Sequence, residues 1–268
     1  MVPTKANAVE KALEILMAFS PTNLELGTTD LTRLTGFHVA TVSRTVQLLT
    51  RKGFLQQNPQ TRKFRLGLSI FSLGQTAMES VSNGLTRLAM PVLEELGKKL
   101  GETVIIETVS GNNGIITCVV QGAKASSIRG HVGGRVAINA GAGTKTILAY
   151  SSSEAVEDIL KNKLPQVTHK TITEPEKFRR HIEKIKKQGV GFCQEEFDIG
   201  INAIGVPVLN HKNEPVASVV VIGPSPRIKC EVDSPIVAEL RAAASEIEAQ
   251  LFHSESMKKN SPFGNGRM

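Results

Sequence analysis

Polar side chains at helical spacing between Thr35 and Leu55 could form hydrogen bonds with a polyanion. Arginine can form two hydrogen bonds with guanine, glutamine can do the same with adenine, and hydroxyl groups can contact bases or phosphates. We therefore predict contacts with double-stranded DNA, and the alternative interpretation is an ordinary solvated helix face. The predicted contact residues on this helix and at its start are His38, Val39, Thr41, Ser43, Arg44 and Gln47.

Three predicted helices position these side chains. They cover residues 6–19, 29–35 and 39–52, with Thr28 as the cap of the second. Gly36 ends the second helix and lets the chain reverse, so that the third helix is steeply inclined and can enter a major groove. The residues predicted to form buried faces are Val9, Ala12, Leu13, Leu16 and Phe19 in the first helix and Val39, Val42, Val46 and Leu49 in the third.

A basic hairpin is predicted after the third helix. The segment "FLQQNPQTRKFRLG" indicates two short strands around an Asn58-Pro59 turn. Arg62, Lys63 and Arg65 on its return side could hold phosphates or enter a minor groove, or they could simply solvate a hairpin edge. Three helices followed by such a hairpin are typical of a winged helix-turn-helix, which we assign to residues 1–67.

The distribution of charge supports this assignment. Of the formal net charge of +7, residues 1–67 contribute nine Lys and Arg against four Asp and Glu, or +5. Residues 68–255 contain 20 basic against 21 acidic side chains, and the tail from 256 contains three basic ones. Positive charge concentrated near the predicted reading helix favours a phosphate backbone as partner, although charge alone is also compatible with a solubilising excess.

The remainder of the chain predicts a second, α+β domain. Helical and strand patterns alternate over residues 84–255, which favours an antiparallel sheet with helices packed on it. The predicted helices cover residues 85–100, 144–150, 153–160, 175–188 and 233–252, and the predicted strands cover residues 103–109, 115–121, 190–197, 203–209 and 216–222. Residues 68–83 form a linker whose helix is uncharged over most of its length, and its Ile70, Phe71, Leu73 and Met78 suggest a dimer contact. Residues 256–268 are predicted to be a disordered tail.

The segment "NAGAGTKT" predicts a tight strand-to-helix turn at Gly141–Gly143. It lacks the glycine spacing of a Walker sequence, so we do not expect it to bind a nucleoside triphosphate. Backbone amides at the start of the following helix could instead hold a carboxylate. A purely structural glycine turn is the alternative interpretation.

The cysteines and acids predict no metal and no cofactor. Cys118, Cys193 and Cys230 are widely spaced, and Glu195, Glu196 and Asp198 have no histidine close to them in sequence. An enzyme with Cys193 as nucleophile and His169 or His211 as base remains an alternative, without a local motif to support it. The sequence contains no spanning apolar run and no signal peptide, so we expect a cytoplasmic protein with reduced thiols and no membrane partner.

The ordered set of segments resembles the IclR family of transcription regulators over about residues 5–255. The segments that carry the resemblance are "ALEILMAF", "LTRLTGFHVATVSRTVQLLTRKGFL" and "KFRLG", followed by "LEELGKKLGETV", "GAGTKTILA" and "GVGFCQEEFDIGINAIGVPVLN". The resemblance implies a dimeric or tetrameric repressor or activator whose C-terminal domain, similar to GAF domains, binds a small metabolite.

The resemblance also implies where the metabolite lies. The family's cavity would be lined here by Gly141, Ala142, Cys193, Ala203, Val220 and Ile222, with Gly143 completing the turn. The family usually has Asp or Ser at the position of Cys193, and some members have serines at those of Val220 and Ile222. We therefore expect an effector with one acidic or polar end and an apolar body. An architectural DNA-binding protein that needs no ligand is the remaining alternative.

Overall fold

The chain forms two compact units, Met1–Ser82 and Asn83–Met268. The computed structural model describes residues 7–20, 22–81, 84–124 and 130–259, and of residues 78–81 and 254–259 it describes the backbone alone. Within those ranges, no helix is both long enough and apolar enough to cross a membrane.

The first unit has the predicted order of three helices, a two-stranded hairpin and a further helix. Asn7 caps the first helix in a capping box with Glu10, which satisfies the free amides of the first turn. The elements are α1 (Ala8–Met17), α2 (Thr28–Thr35), α3 (Val39–Arg51), β1 (Leu55–Gln57), β2 (Phe64–Leu66) and α4 (Leu68–Val81). Their shared core consists of Ile15, Leu26, Leu31, Val42, Val46, Leu49, Leu55 and Phe64.

Two predicted faces in this unit are correct only in part. The predicted members that do pack in the core are Ala12, Leu16, Phe19, Val42, Val46 and Leu49. In α1, Val9 and Leu13 are exposed, and the side chain buried against α3 is Ile15. In α3, Val39 is 58% exposed, because the buried face begins at Val42. The predicted cap also shifts by one residue, since Gly27 precedes α2 and Thr28 belongs to it. Asp30 accepts the Gly27 amide hydrogen bond at 3.0 Å.

The second unit is built on a six-stranded antiparallel sheet, which confirms the predicted α+β fold. The spatial strand order is β5-β4-β3-β8-β7-β6. The strands are β3 (Thr103–Ser110), β4 (Asn113–Val120), β5 (Arg135–Ala137), β6 (Gly191–Gln194), β7 (Ile201–Leu209) and β8 (Pro215–Pro224). The helices are α5 (Leu85–Leu100), α6 (Ala142–Tyr150), α7 (Ser153–Leu160), α8 (Pro175–Gln188) and α9 (Pro235–Lys259).

Three details of this unit differ from the sequence prediction. The short edge strand β5 was not predicted, since its three residues carry no alternating pattern of useful length. The strand predicted to end at Phe197 ends at Gln194, because Glu195 has a φ of +60° and turns the chain. Helix α9 continues to Lys259, into the predicted tail, and residues 260–268 lie outside the described residues.

Helices cover both faces of the sheet, which explains why its central strands are nearly continuous apolar runs. Helices α5 and α9 pack on one face, where Val104 and Ile106 of β3 join a large buried cluster. Helix α6 contacts β7, β8 and β3 on the other, towards which Ile105 and Glu107 point because strand side chains alternate. The strand alternation therefore directs Glu107 to the α6 side of the sheet.

Candidate nucleic-acid interface and effector cavity

A left-handed glycine sets the direction of α3. Gly36 has a φ of +70°, ends α2 and donates its amide hydrogen bond to the Thr32 carbonyl at 2.9 Å. His38 follows in extended backbone as the N-cap of α3. Because Val42, Val46 and Leu49 anchor the inner face of α3 in the core, its other face is held outward.

The predicted contact residues of α3 lie on this outer face. The side chains of His38, Val39, Arg44 and Gln47 are exposed, whereas those of Thr41 and Ser43 are half-buried. The guanidinium Nε of Arg44 donates to the Ala40 carbonyl at 3.4 Å, a long bond that leaves the terminal nitrogens available to a partner. The face therefore presents the donor and acceptor groups that major-groove recognition uses.

The three basic residues of the hairpin are also exposed. Strand pairing places Gln56 opposite Arg65, whose Nε and Nη2 donate to the Gln56 Oε1 at 3.2 and 3.0 Å. In the turn, the Asn58 Oδ1 accepts amide hydrogen bonds from Gln60 and Thr61, and Arg62 has a φ of +59°. This side-chain-stabilised turn holds Arg62, next to Lys63, at the end of the hairpin.

The second unit contains a cavity of about 240 Å³ on the α6 side of the sheet. With liquid water occupying about 30 Å³ per molecule, this space corresponds to roughly eight waters, enough for a compact organic ligand. Five of the seven predicted effector residues line it: Gly141, Ala142, Cys193, Ala203 and Ile222. Val220 and Gly143 lie behind the wall, and Val220 is fully buried in the same cluster as Ala142 and Cys193.

Residues that the sequence analysis missed form the rest of the wall. Phe197, Asp198 and Ile201 belong to the turn between β6 and β7 and to the start of β7, and Glu107 comes from the middle of β3. The signal for Glu107 was present, because an acidic residue interrupts the apolar segment "TVIIETV" of a central strand. The segment alone does not indicate that the Glu107 side chain lies in the cavity wall.

Glu107 occupies the helix start that we expected a ligand carboxylate to use. Its side chain is 3% exposed, and its Oε2 accepts the Thr144 amide hydrogen bond at 2.9 Å. Burial raises the pKa of Glu107 to about 7, while the Thr144 amide and the nearby Lys145 ammonium act in the opposite direction. The cavity wall therefore carries a carboxyl group that titrates near neutral pH.

The glycines of the turn are sterically necessary as well. A Cβ atom on Gly143 would lie 2.4 Å from the Glu107 Oε2, and one on Gly141 would lie 2.5 Å from the Val136 Cγ1. Real Cβ atoms do not approach other atoms so closely, so Gly143 is required for the close contact of α6 with β3, and Gly141 for the close contact of the turn with β5. The structural interpretation of the turn thus has direct support, and it is compatible with a role in the cavity wall.

The acidic residues Glu195, Glu196 and Asp198, which follow β6, do not converge on one site. The Glu196 Oε2 accepts a hydrogen bond from the Lys145 Nζ at 2.6 Å, and both side chains are buried. Glu195 pairs with Lys170 at 3.1 Å, and Asp198 lines the cavity. Among the described residues, no group of three or more His, Cys, Asp or Glu side chains could hold a metal ion.

Cys193 lacks the surroundings of a nucleophile. It is 4% exposed, and burial raises the pKa of its thiol, which keeps the reactive thiolate scarce. It pairs with Ala203 on β7, whereas His211 follows the opposite end of that strand. Eight residues of roughly extended chain separate Ala203 from His211, a distance on the order of 25 Å.

Comparison with known proteins gives a consistent result for both units. Residues 8–59 match the model for the IclR helix-turn-helix domain, and residues 78–249 match the model for the bacterial transcriptional regulator IclR C-terminal domain. The HTH-type transcriptional regulator XynR of Escherichia coli is 26% identical over 212 residues, which are 79% of this chain and 83% of XynR.

Two solved structures are similar over nearly the whole chain. The Thermotoga maritima IclR structure has a TM-score of 0.66 and 26% identity, covering 91% of this chain and 98% of that one. An IclR homolog from Microbacterium hydrocarbonoxydans, complexed with 4-hydroxybenzoate, has a TM-score of 0.72 and 22% identity, covering 92% of this chain and 100% of that one. The matched families and curated relatives are transcriptional regulators, not enzymes, which rejects the alternative of Cys193 as a nucleophile.

Proposed function

The chain belongs to the IclR family of transcriptional regulators, and we propose that it represses or activates transcription in response to a small, carboxylate-bearing metabolite with an apolar body. Ligand-responsive DNA binding is the shared property of the family. The observation that carries the finer proposal is the cavity of about 240 Å³, whose wall combines the α6 turn with apolar strand residues.

We propose that α3 reads the operator. The support is that Arg44 and Gln47 are exposed on the face opposite the α3 core residues, with the basic hairpin following in sequence. Replacing Arg44 with Ala should cost about 1–3 kcal/mol at one base pair and relax specificity there. Lys63→Ala is the matched control, since loss of a phosphate contact weakens binding uniformly and lowers the salt dependence by about one ion.

Fluorescence anisotropy titrations against a selected operator and scrambled DNA, repeated at several salt concentrations, separate these effects. If Arg44→Ala bound both DNAs as the parent protein does, α3 would not read sequence through this residue. Operator affinity that no ligand alters would instead favour the architectural alternative.

We propose that the effector places its acidic end near the Gly141–Gly143 turn and its body against Cys193, Ala203 and Ile222. Burial of apolar ligand surface against this wall stabilises the complex by about 25 cal/mol per Å². A second carboxylate on the ligand would lie unpaired against that wall and would cost several kcal/mol. The 4-hydroxybenzoate bound by the Microbacterium hydrocarbonoxydans homolog makes an aromatic monocarboxylate the first candidate to test.

Calorimetric titration with benzoate and terephthalate tests this ligand class. The wild type should prefer benzoate, and Cys193→Asp should weaken its binding by adding a charge to the wall. Ala142→Leu should abolish binding, because Ala142 is 1% exposed and lines the cavity. Preference for the dicarboxylate, or unchanged binding by Ala142→Leu, would show that the ligand class or the cavity is assigned wrongly. A ligand alters DNA binding only if it binds one arrangement of the protein more tightly than another.

We propose that the regulator acts as a homodimer or a dimer of dimers on a pseudo-palindromic operator. Large apolar side chains are exposed on both α1 and α4, including Val9 at 68%, Leu68 at 83% and Phe71 at 67%. Covering them with a second copy would remove this surface from water, and a two-fold protein places its reading helices on half-sites about one helical turn apart or a multiple of it. Sedimentation should show a dimer at least, and Phe71→Asp should shift the equilibrium towards monomer. A monomeric wild type at micromolar concentration, with and without DNA, would contradict the proposal.

A further inference from the structure

We propose that Glu107 selects the effector: it admits a ligand carboxylate to the cavity only when it carries a proton and donates that proton in a hydrogen bond to the ligand. The inference rests on the proposed function, because it concerns the acidic end of the same ligand. Glu107 would thus be a specificity-determining residue, and binding of the ligand would be coupled to uptake of a proton.

The position of Glu107 carries the argument. The carboxyl lies on the cavity wall beside the turn at which the acidic end of the ligand is placed, since a Cβ on Gly143 would be 2.4 Å and one on Gly141 3.4 Å from its Oε2. In the part of the chain that the structure describes, one hydrogen bond reaches this carboxyl, from the Thr144 amide to Oε2. Its Oε1 is therefore available to an occupant of the cavity.

The charges around the cavity would repel a second anion. Asp198 lines the same cavity, and no Lys or Arg does so among the described residues. Lys145, the nearest cation on α6, is completely buried and paired with Glu196. The neighbouring strands contribute Ile116 from β4 and Val136 from β5, which are apolar, and Cys193 from β6, whose thiol is protonated near neutral pH.

Two carboxyl groups in one desolvated site are stable when they share a single proton. The resulting bond between a carboxylic acid and a carboxylate is short and charge-assisted, and it replaces repulsion by attraction. Since the pKa of Glu107 is about 7, the ligand-free protein is partly protonated at neutral pH, and binding takes up the remaining proton from solvent onto Oε1. A ligand with a hydroxyl or an ammonium group in this position would instead bind preferentially to the ionised form of Glu107.

Benzoate titrations across pH test the inference. Benzoate stays ionised throughout, so a required proton on a group of pKa about 7 should weaken its binding roughly 30-fold between about pH 6 and about pH 8.5. Calorimetry in phosphate and in Tris at about pH 7.5 should report uptake of roughly three-quarters of a proton per benzoate. Glu107→Gln keeps an acceptor for the Thr144 amide and a donor for the ligand, so its affinity for benzoate should be independent of pH.

Asp198→Asn is the matched control, because it removes the other acid of the cavity and should keep the pH slope of the wild type. Benzoate binding without proton uptake, or a slope that disappears in Asp198→Asn and survives in Glu107→Gln, would overturn the role of Glu107 and leave the proposed ligand class intact. If benzoate fails to bind at any pH while benzylamine binds more tightly as pH rises, both the ligand class and the selection of carboxylates by Glu107 fail. If Glu107→Gln does not fold, proton uptake that persists in Asp198→Asn still supports Glu107, and its absence from the wild type still overturns the role.

Discussion

Replacing Lys145 with Met tests how the wall of the cavity is held. Lys145 lies on α6 with no exposed side-chain surface, and its Nζ is 2.6 Å from the Oε2 of Glu196, whose side chain is 9% exposed. Glu196 belongs to the turn that also carries Phe197 and Asp198 into the cavity wall. The ion pair thus ties that turn to α6.

The expected cost follows from the desolvation of the remaining charge. Met fills much of the volume of the lysine stem but leaves the Glu196 carboxylate buried. Among the described residues, the one donor that remains to it is the Gln194 amide at 3.5 Å. Removing one partner of such a buried pair costs about 3–5 kcal/mol, whereas replacing both by apolar groups is often neutral. The double variant Lys145→Met, Glu196→Met should therefore be more stable than Lys145→Met alone by about 2 kcal/mol or more.

Urea unfolding followed by tyrosine fluorescence measures this. Tyr150 is the single tyrosine, the chain has no tryptophan, and α6 carries it, so the signal reports the second unit alone. Lys161→Met is the matched control, because Lys161 and Asp158 are also 2.6 Å apart but 74% and 70% exposed, and its loss should leave the midpoint unchanged. Equal losses from Lys145→Met and Lys161→Met, or a double variant no more stable than Lys145→Met, would refute the reasoning.

Two further predictions concern other parts of the fold. The stability contributed by Glu107 is present below its unfolded pKa of about 4.5 and is lost as pH rises through its folded pKa of about 7. Between about pH 4.5 and pH 8, the free energy of unfolding of the wild type should therefore fall by about 3 kcal/mol relative to that of Glu107→Gln. Urea midpoints compared across pH, with the exposed Glu94→Gln as control, check this, and parallel profiles would contradict it. Gly36→Ala should destabilise the first unit by about 1 kcal/mol, because its φ is +70° and nothing lies within 4 Å of the added Cβ. Circular dichroism of thermal unfolding would show it, and a variant as stable as the wild type would contradict it.

Much of the secondary structure was predictable from local pattern. The helices Leu85–Leu100, Ser153–Leu160 and Pro175–Gln188 have the predicted bounds, because the apolar spacing lies within each segment and the capping residues directly flank it. The errors fall where local signals are weak or compete. The three-residue strand β5 is too short for a periodic pattern, and α1 has enough apolar residues to make either of two faces look buried.

The sequence by itself determined the fold class of the protein. A helix with a polar and basic outer face after a glycine turn, a hairpin and an α+β domain all follow from periodicity, turn residues and charge, which are short-range properties. Only the tertiary structure decided the chemistry of the cavity. Glu107 meets Thr144 across 37 residues, and Lys145 meets Glu196 across 51. These contacts depend on which strand faces α6 and on how closely glycines let the helix approach. The position of the side chain that we propose receives the ligand's acidic end is therefore fixed by sheet register and packing, which no local pattern encodes.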